Sequence, residues 1–290
     1  MMEAASATKA TAARTAPGYL TSLRTSFALT SLLILRRRRT ILAGVLTLFP
    51  VIIPLAVVFL LEETATFTGA KLFERLIEYL YIGILTPLLA LFFGATLLSE
   101  DIEGETIPFL LSRPIHRSAL LLGRFLSYIA IATALILPAV ALTFAGCVAA
   151  GGLETTAANL RTFGHYCLVL LPELAAYGAF AIFMGAQTKR PVIYGAIFVF
   201  GWQWVAVQVP GLVDFLTIQK YVTSLLPYMP FQKLIPGTIP VQADAVRDVY
   251  AVSAGFALVA LAIITLIFLI ATVVVLRIKQ YSTGKVLAAG

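Results

Sequence analysis

Residues 41–61 read ILAGVLTLFPVIIPLAVVFLL, an unbroken run of 21 residues without a charged side chain. At about 1.5 Å per residue, a helix of this length crosses the roughly 30 Å hydrocarbon core of a bilayer. We therefore predict a membrane-spanning helix here. Proline removes a backbone hydrogen bond, so the helix should be kinked at Pro50 or Pro54.

The composition of the whole chain supports the same conclusion. Hydrophobic residues make up 60% of the 290 residues, charged residues only 12%, and the mean hydropathy is +0.96. These values lie far from those of soluble proteins. Further apolar stretches predict spans at about 80–98, 118–150, 164–187, 191–209 and 251–276. The sequence thus predicts an all-α polytopic membrane protein with six transmembrane helices in a single transmembrane domain, residues 19–290.

The N-terminal segment divides into two parts. Residues 1–18 are rich in Ala, Thr and Ser, and we expect a disordered tail. Residues 19–39 mix apolar side chains with Arg24 and the run Arg36–Arg39, a basic amphipathic pattern that favours a helix at the membrane surface. The arginine run can bind anionic lipid or anchor the topology, and the two interpretations are compatible.

Residues 210–250, between the fifth and sixth predicted spans, are mixed in polarity. They contain four prolines after position 226: Pro227, Pro230, Pro236 and Pro240. Because proline cannot continue a helix interior, these residues exclude a simple seventh spanning helix. We predict a broken extracellular segment made of short interfacial or re-entrant pieces.

The distribution of basic residues predicts the orientation. The net charge is +7, but the bases sit at helix ends rather than on one soluble face, so nucleic acid is not the indicated partner. With the N-terminus inside, 15 of the 21 Lys and Arg residues lie on the cytosolic side. The positive-inside rule therefore predicts a multi-pass protein of the cell (inner) membrane with both termini in the cytosol.

Residues 99–124, SEDIEGETIPFLLSRPIHRSALLLGR, form a charged connection between the second and third predicted spans, which we call the bridge. Thr106 can cap a helix that Pro108 tolerates in its first turn, and Pro114 ends it. The result is a predicted short helix at about 107–112, with Phe109 and Leu110 available to a partner. From the residues alone, an ordinary solvated loop is an equally good interpretation.

The bridge resembles the cytosolic loop of ABC exporter permeases of the type-two family. In that family an acidic stretch precedes a Gly and a Thr, a Leu-rich turn, Ser-x-Pro-x-x-Arg, and then a Gly followed by Lys or Arg. The matching residues here are Glu103, Gly104, Thr106, Leu110, Leu111, Ser112, Arg113, Pro114, Arg117, Gly123 and Arg124. Many relatives place Gly directly before Thr, whereas Glu105 intervenes in this chain.

This resemblance implies a coupling helix that inserts into a separate cytosolic ABC ATPase subunit. The residues expected to dock are Glu103, Thr106, Phe109, Leu110, Arg113, Pro114 and Arg117. ATP and Mg²⁺ would bind to that partner, because these 290 residues contain no phosphate-binding loop; Gly284-Lys285 lacks the earlier glycine. The resemblance also implies dimerisation with a second copy or a paralogue of the permease, in contact with membrane lipid. The chain itself would hold no cofactor and would not be an enzyme.

Glu173 lies within an apolar stretch and is a candidate for the transport pathway, because ionisable residues inside a membrane are costly and often functional. The alternative is structural: Pro172 breaks the helix, and the carboxyl is neutral or hydrogen-bonded there. Cys147 and Cys167 fall in apolar segments and are expected to be inert thiols. The two histidines, His116 and His165, are too far apart in the topology for a metal site.

Two other classes of protein are alternatives to an ATP-driven permease. An ion-coupled carrier that works without an ATPase would use Glu173 as its coupling group. An integral-membrane enzyme would need clustered ionisable residues, yet the sequence contains neither His-Glu-x-x-His nor Gly-x-Ser-x-Gly, nor a pair of intramembrane aspartates. The bridge favours the ATP-driven permease.

Overall fold

The structure is a computed structural model that describes residues 18–60, 69–103, 117–149, 157–188, 190–208, 214–226 and 252–278. Within these ranges every regular element is helical, and there is no strand. The all-α prediction is thereby confirmed. The predicted tail at 1–18 falls, except for Gly18, outside the described residues.

Five of the described helices are long and apolar enough to cross a membrane, so the chain is a multi-pass membrane protein. They are numbered here in chain order: the first span Arg38–Ala56, the second Gly69–Ser99, the third Ser118–Ala149, the fourth Asn159–Gln187 and the last Ala254–Ile278. The predicted span at 191–209 is helical over its described residues, 191–208, but its apolar helix, Pro191–Trp202, is shorter than the others. The count of six spans therefore stays a prediction.

The N-terminal region consists of helices that are interrupted at a proline. Helix α1 (Tyr19–Leu35) is followed by α2 (Arg38–Leu48), a 3-10 turn (Phe49–Val51) and α3 (Ile52–Leu60). Pro50 lies in the 3-10 turn, as expected of a residue without a backbone N–H. The helix is thus 3-10 rather than α at Pro50, and the kink expected at Pro50 or Pro54 stays a prediction.

The second span begins earlier than its sequence suggests. It consists of α4 (Gly69–Leu76), π-helical turns (Ile77–Leu85), α5 (Thr86–Leu89), further π-helical turns (Ala90–Gly94) and α6 (Thr96–Glu103). The predicted start at residue 80 was wrong. Residues 69–78 contain charges, but Phe73, Leu76 and Ile77 form one buried face and extend the helix outward.

The two longest helices are continuous. Helix α7 (Arg117–Ala149) has 33 residues, about 50 Å at 1.5 Å per residue; it matches the span predicted at about 118–150 and is longer than the hydrocarbon core. Helix α8 (Ala157–Gln187) continues through Pro172, so the predicted interruption at that residue was wrong.

The remaining helices complete the C-terminal part. Helices α9 (Pro191–Ala196) and α10 (Gln203–Gln208) are joined by π-helical turns (Ile197–Trp202). A 3-10 turn (Asp214–Leu216) precedes α11 (Ile218–Ser224), and α12 (Ala254–Ile278) forms the last span.

The fourth span lies at the centre and packs against the second, third and last spans. It approaches the second span closely at Gly185, where a Cβ would lie 2.4 Å from the carbonyl oxygen of Ala95. Small residues permit such close approach of membrane helices. Four fully buried tyrosines, each hydrogen-bonded through its hydroxyl, lie in the core: two on the fourth span itself, Tyr166 and Tyr177, and two on the second and third spans, Tyr81 and Tyr128.

Helix α1 packs along the third span through a face of small polar side chains. Ser22, Ser26 and Thr30 are buried there, whereas Leu29 and Leu33 are exposed. Ser26 contacts Leu120, and Ser31, farther along α1, contacts Ser127, farther along the third span. The two helices are therefore parallel. The sequence predicted a surface helix but not this polar packing face.

Part of the predicted broken segment is described, and it contains the short helix α11. Gln219 near its start contacts Tyr177, and the carbonyl oxygen of Leu225 just after it lies 2.7 Å from Nε2 of His165. Helix α11 therefore runs antiparallel to the fourth span and packs against it. Residues 227–251 lie outside the described part of the chain.

Candidate functional site

The bridge is described at its two ends only. Glu103 is the last residue of α6, and Arg117 is the first residue of α7. Five of the predicted docking residues lie outside the described residues: Thr106, Phe109, Leu110, Arg113 and Pro114. The structure thus shows the helices that carry the predicted docking segment.

Arg124 ties the two helices of the bridge together. Its Nη1 donates a hydrogen bond to the carbonyl oxygen of Leu97, at 2.7 Å. Leu97 lies in the helix that ends at Glu103, and a charged donor makes a strong hydrogen bond to its carbonyl oxygen. The second and third spans are therefore held together directly beside the bridge.

Gly123 brings α1 into the same assembly. A Cβ at this position would lie 2.7 Å from Cβ of Ser26 and 2.8 Å from the carbonyl oxygen of Leu23. The glycine therefore allows α1 to approach the third span closely. The Ser26 hydroxyl donates to the carbonyl oxygen of Leu120 at 2.9 Å, which fixes the contact.

Farther along the two helices, the hydroxyl oxygens of Ser31 and Ser127 lie 2.8 Å apart. Together with the contacts of Leu97, Gly123, Arg124 and Ser26, this pair joins α1, the second span and the third span. We call Ser26, Leu97, Gly123 and Arg124 the bridge anchor. The Gly-Arg pair at the end of the sequence motif thus belongs to the anchor rather than to the predicted docking surface.

Glu173, the predicted pathway residue, lies near the middle of α8 and is fully buried. Neither carboxyl oxygen has a hydrogen-bond partner among the described residues. Tyr128 and Tyr177 are close enough to interact with it electrostatically. An ionised carboxylate buried in this way costs several kcal/mol, so the site is energetically unusual.

Tyr177 connects Glu173's helix to the C-terminal segments. Its hydroxyl lies 2.7 Å from Oε1 of Gln203 on α10 and 3.0 Å from Oε1 of Gln219 on α11. All three side chains are buried. This polar cluster therefore holds α10 and α11 against the fourth span inside the helical domain.

Glu78 is a second buried acid that the sequence reasoning missed. It is only 2% exposed, and the Tyr166 hydroxyl donates to its Oε1 at 2.7 Å. The sequence predicts a second span that starts at residue 80, so Glu78 falls outside the predicted span. The signal that could have found it is the helical spacing of Phe73, Leu76 and Ile77, which extends the second span past Glu78.

Glu78→Leu should destabilise the protein because it leaves the buried Tyr166 hydroxyl without its acceptor. The expected loss is about 1–3 kcal/mol in the free energy of unfolding, measured in detergent by thermal or denaturant unfolding. Glu78→Gln is the matched control, since its amide oxygen can still accept from Tyr166. A Gln variant as unstable as the Leu variant would show that the hydrogen bond is not what Glu78 supplies.

Other buried groups join the first three spans or serve in packing. The Tyr81 hydroxyl lies 2.8 Å from Oγ1 of Thr143 and 3.3 Å from the carbonyl oxygen of Thr47. Cys147 is a buried free thiol and Cys167 a half-buried one, and the inertness expected of them stays a prediction. Among the residues that the structure describes, no group of three or more His, Cys, Asp or Glu side chains is placed to hold a metal ion.

The several membrane-length helices and the anchored connection between the second and third spans define a polytopic, all-helical membrane protein. Residues 32–279 match the profile of the family described as "ABC-2 family transporter protein". The chain belongs to this family and is the membrane component of an ABC transporter. No curated protein matches the chain.

The family assignment confirms the resemblance drawn from the bridge. It also agrees with a membrane subunit that lacks a nucleotide-binding domain of its own, as is typical of this family. The match covers all five described spans and the whole bridge, and it begins at residue 32, in the last turn of α1.

Proposed function

We propose that this protein is the permease subunit of an ATP-driven exporter and that it docks a separate cytosolic ATPase through residues 103–117 of the bridge. The observation that carries the proposal is the bridge anchor in a chain of the ABC-2 family. Because Arg124 links the second span to the third, a force applied to the bridge reaches both spans. A loop without such a link would transmit less of that force.

The proposed mechanism uses this connection. ATP and Mg²⁺ bind to the partner ATPase and supply the energy of the cycle. Closure of two ATPases moves the two bridges of a permease dimer, formed with a second copy or a paralogue. The third span, about 50 Å long, carries the motion across the membrane to a pathway between the two permeases.

The proposed topology has six spans with both termini in the cytosol of a cell whose inner membrane holds the protein. Helix α8 ends at Gln187 and α9 begins at Pro191, so only three residues separate them. Residues 191–208 are helical and, at 1.5 Å per residue, about 27 Å long, which is nearly the thickness of the hydrocarbon core. An additional crossing at this point makes the number of spans even and places both termini on the same side.

The proposed partner can be tested by purification. The tagged chain, extracted from its native membranes in a mild detergent, should copurify with a protein that contains a phosphate-binding loop. Vesicles that contain both chains should transport only with ATP. Transport by the purified permease alone, driven by an ion gradient, would contradict the proposal.

The alternative of an ion-coupled carrier rests on one observation, the full burial of the Glu173 carboxyl without a hydrogen-bond partner among the described residues. Glu173→Gln discriminates the two functions because it keeps the shape and removes the ionisable group. For the ATP-driven permease we expect ATP-dependent transport within about twofold of wild type, because the Glu173 carboxyl makes no hydrogen bond with the described residues that the change would remove. A tenfold loss would require a change of about 1.4 kcal/mol. Complete loss of transport with normal ATPase binding would favour the carrier.

A further inference from the structure

Three buried polar side chains have an atom without a hydrogen-bond partner among the described residues. They are Thr86 on the second span, through Oγ1; Glu173 on the fourth span, through both carboxyl oxygens; and Gln203 on α10, through Nε2. Thr86 and Glu173 are fully buried, and Gln203 is 3% exposed. Folded proteins rarely leave buried polar groups unpaired, because such groups have lost their hydrogen bonds to bulk water.

The second and fourth spans are parallel, and two contacts fix their register. Near the start of both spans, the Tyr166 hydroxyl donates to Oε1 of Glu78 at 2.7 Å. Farther along both spans, a Cβ on Gly94 would lie 2.8 Å from Cβ of Ala181. Residues between these contacts can therefore be compared by their level in the helix bundle.

This register places Thr86 beside Glu173. Thr86 is midway between the two contact residues of the second span, eight residues from each, and Glu173 is seven and eight residues from those of the fourth span. Seven residues make about two helical turns, so Glu173 lies on the same face as Tyr166, the face that meets the second span. Helix α5, which begins with Thr86, packs against the fourth span.

Tyr177 brings Gln203 to the same acid. Tyr177 follows Glu173 by one helical turn, so the two side chains are neighbours on one face of α8, and they interact electrostatically. Helical side chains lean toward the N-terminus, which directs the Tyr177 hydroxyl back toward Glu173. That hydroxyl lies 2.7 Å from Oε1 of Gln203. The amide of Gln203 is therefore held near the Glu173 carboxyl.

The contacts of Tyr177 decide which group Gln203 has left over. A tyrosine hydroxyl has one proton, so it can donate to only one of the two amides that it contacts. The 2.7 Å distance to Gln203 is typical of O–H···O, and the 3.0 Å distance to Gln219 is typical of N–H···O. Tyr177 therefore donates to Gln203, and Gln219, with its amide turned over, donates to Tyr177. Gln203 is left with an amide N–H that needs an acceptor.

The three groups together fit a water molecule. The carboxyl accepts, the amide N–H donates and the hydroxyl can do either, as water can. A metal cation needs a lone pair from each ligand, and an amide N–H offers none. The Thr86 hydroxyl is available, unlike that of buried Thr272, which donates to the carbonyl oxygen of Phe268 in its own helix. A buried water makes about three hydrogen bonds, one for each group.

We propose that Thr86, Glu173 and Gln203 together bind one internal water molecule. The water accepts from Nε2 of Gln203, donates to the Glu173 carboxyl and shares a third hydrogen bond with the Thr86 hydroxyl. It joins the second span, the fourth span and α10 at one level. Through Tyr177 and Gln219 the same network reaches α11, so the water helps to hold the C-terminal helices on the bundle.

The direct test is a structure of the full chain in lipid nanodiscs at a resolution that shows ordered water. Water density should lie within hydrogen-bond distance of both Nε2 of Gln203 and the Glu173 carboxyl. A direct hydrogen bond between these two groups, with no water, would overturn the proposal. The melting temperature should be equal in sodium, potassium and choline chloride. Stabilisation by sodium or potassium over choline would assign the site to a cation instead.

A pair of backgrounds tests whether the water is shared. T86V should lower the ratio of folded to unfolded protein about fivefold in the wild type, because the water loses a hydrogen bond. It should change that ratio by less than about twofold in E173L, where the water site is already lost. T272V is the matched control, and its effect should be the same in both backgrounds. Equal effects of T86V in the two backgrounds would overturn the shared site.

If E173L fails to fold, the wild-type structure and the comparison of salts still decide the proposal, since neither uses a variant. None of these measurements involves the ATPase or transport. Their failure is therefore distinguishable from a failure of the proposed function.

Discussion

Replacing Arg113 and Arg117 together by glutamate should abolish copurification with the ATPase and ATP-dependent export while leaving membrane insertion intact. Both residues belong to the Ser-x-Pro-x-x-Arg part of the bridge, and reversal puts two negative charges where the partner is expected to meet positive ones. Changing charged residues inside a protein interface costs several kcal/mol, so affinity should fall roughly 100-fold or more.

The matched control is Lys279→Glu with Lys285→Glu, which makes the same change in net charge after the last span, outside the bridge. This control should bind the ATPase normally. Pull-down of the ATPase and export from inverted vesicles are the two measurements. Undiminished association of a correctly inserted R113E/R117E variant would remove the docking assignment.

Gly123→Ala should detach α1 from the third span. The new Cβ would lie 2.7 Å from Cβ of Ser26 and 2.8 Å from the carbonyl oxygen of Leu23, distances at which the helices must separate. Overpacking of this kind costs about 1–3 kcal/mol. The variant should therefore unfold at a lower temperature, and it should lose ATP-driven export because the bridge anchor is disturbed.

The detachment of α1 can be measured by thiol labelling in a background with Cys147 and Cys167 replaced by serine. A cysteine at Ser26, which is buried, should react slowly in the parent and rapidly with Gly123→Ala. A cysteine at Leu29, which is exposed, should react rapidly in both. Gly255→Ala, which adds a Cβ into open space, is the control for stability. Equal labelling and stability in Gly123→Ala and the parent would contradict the close packing at Gly123.

The membrane-spanning helices could be predicted because their signal is local and strong. Residues 41–61 and 254–278 are apolar almost throughout, and the length that a bilayer demands is fixed by helix geometry. The start of the second span could not be found in the same way. Glu74 and Glu78 lower its hydropathy, and only packing against Tyr166 and its neighbours shows why an acid is tolerated there.

The orientation of α1 illustrates a second limit of the sequence. Leu20 and Leu32 suggested an apolar face, but this feature does not say whether such a face meets protein or lipid. The structure turns Ser22, Ser26 and Thr30 toward the third span, because membrane helices pack through small and polar residues while lipid accepts leucine. In a membrane, hydrophobicity alone does not identify the core.

The bridge could be predicted as a motif, but not the separate roles of its parts. Resemblance placed Gly123 and Arg124 in the same pattern as Arg113 and Arg117. The contacts of Gly123 with α1 and of Arg124 with Leu97 depend on residues distant in the sequence, which no local pattern contains. They separate the anchor of the bridge from the segment proposed to dock.

Site-specific cross-linking from the bridge tests the central claim most directly. A photo-reactive amino acid at Leu110, in the complex purified from native membranes, should cross-link to an ATPase subunit that contains a phosphate-binding loop. The same amino acid at Leu160 should not. Leu160 is exposed at the start of the fourth span, the end that lies away from the bridge. Capture of the ATPase from Leu110 alone is the predicted result, and its absence at Leu110 in an ATP-competent complex would contradict docking through the bridge.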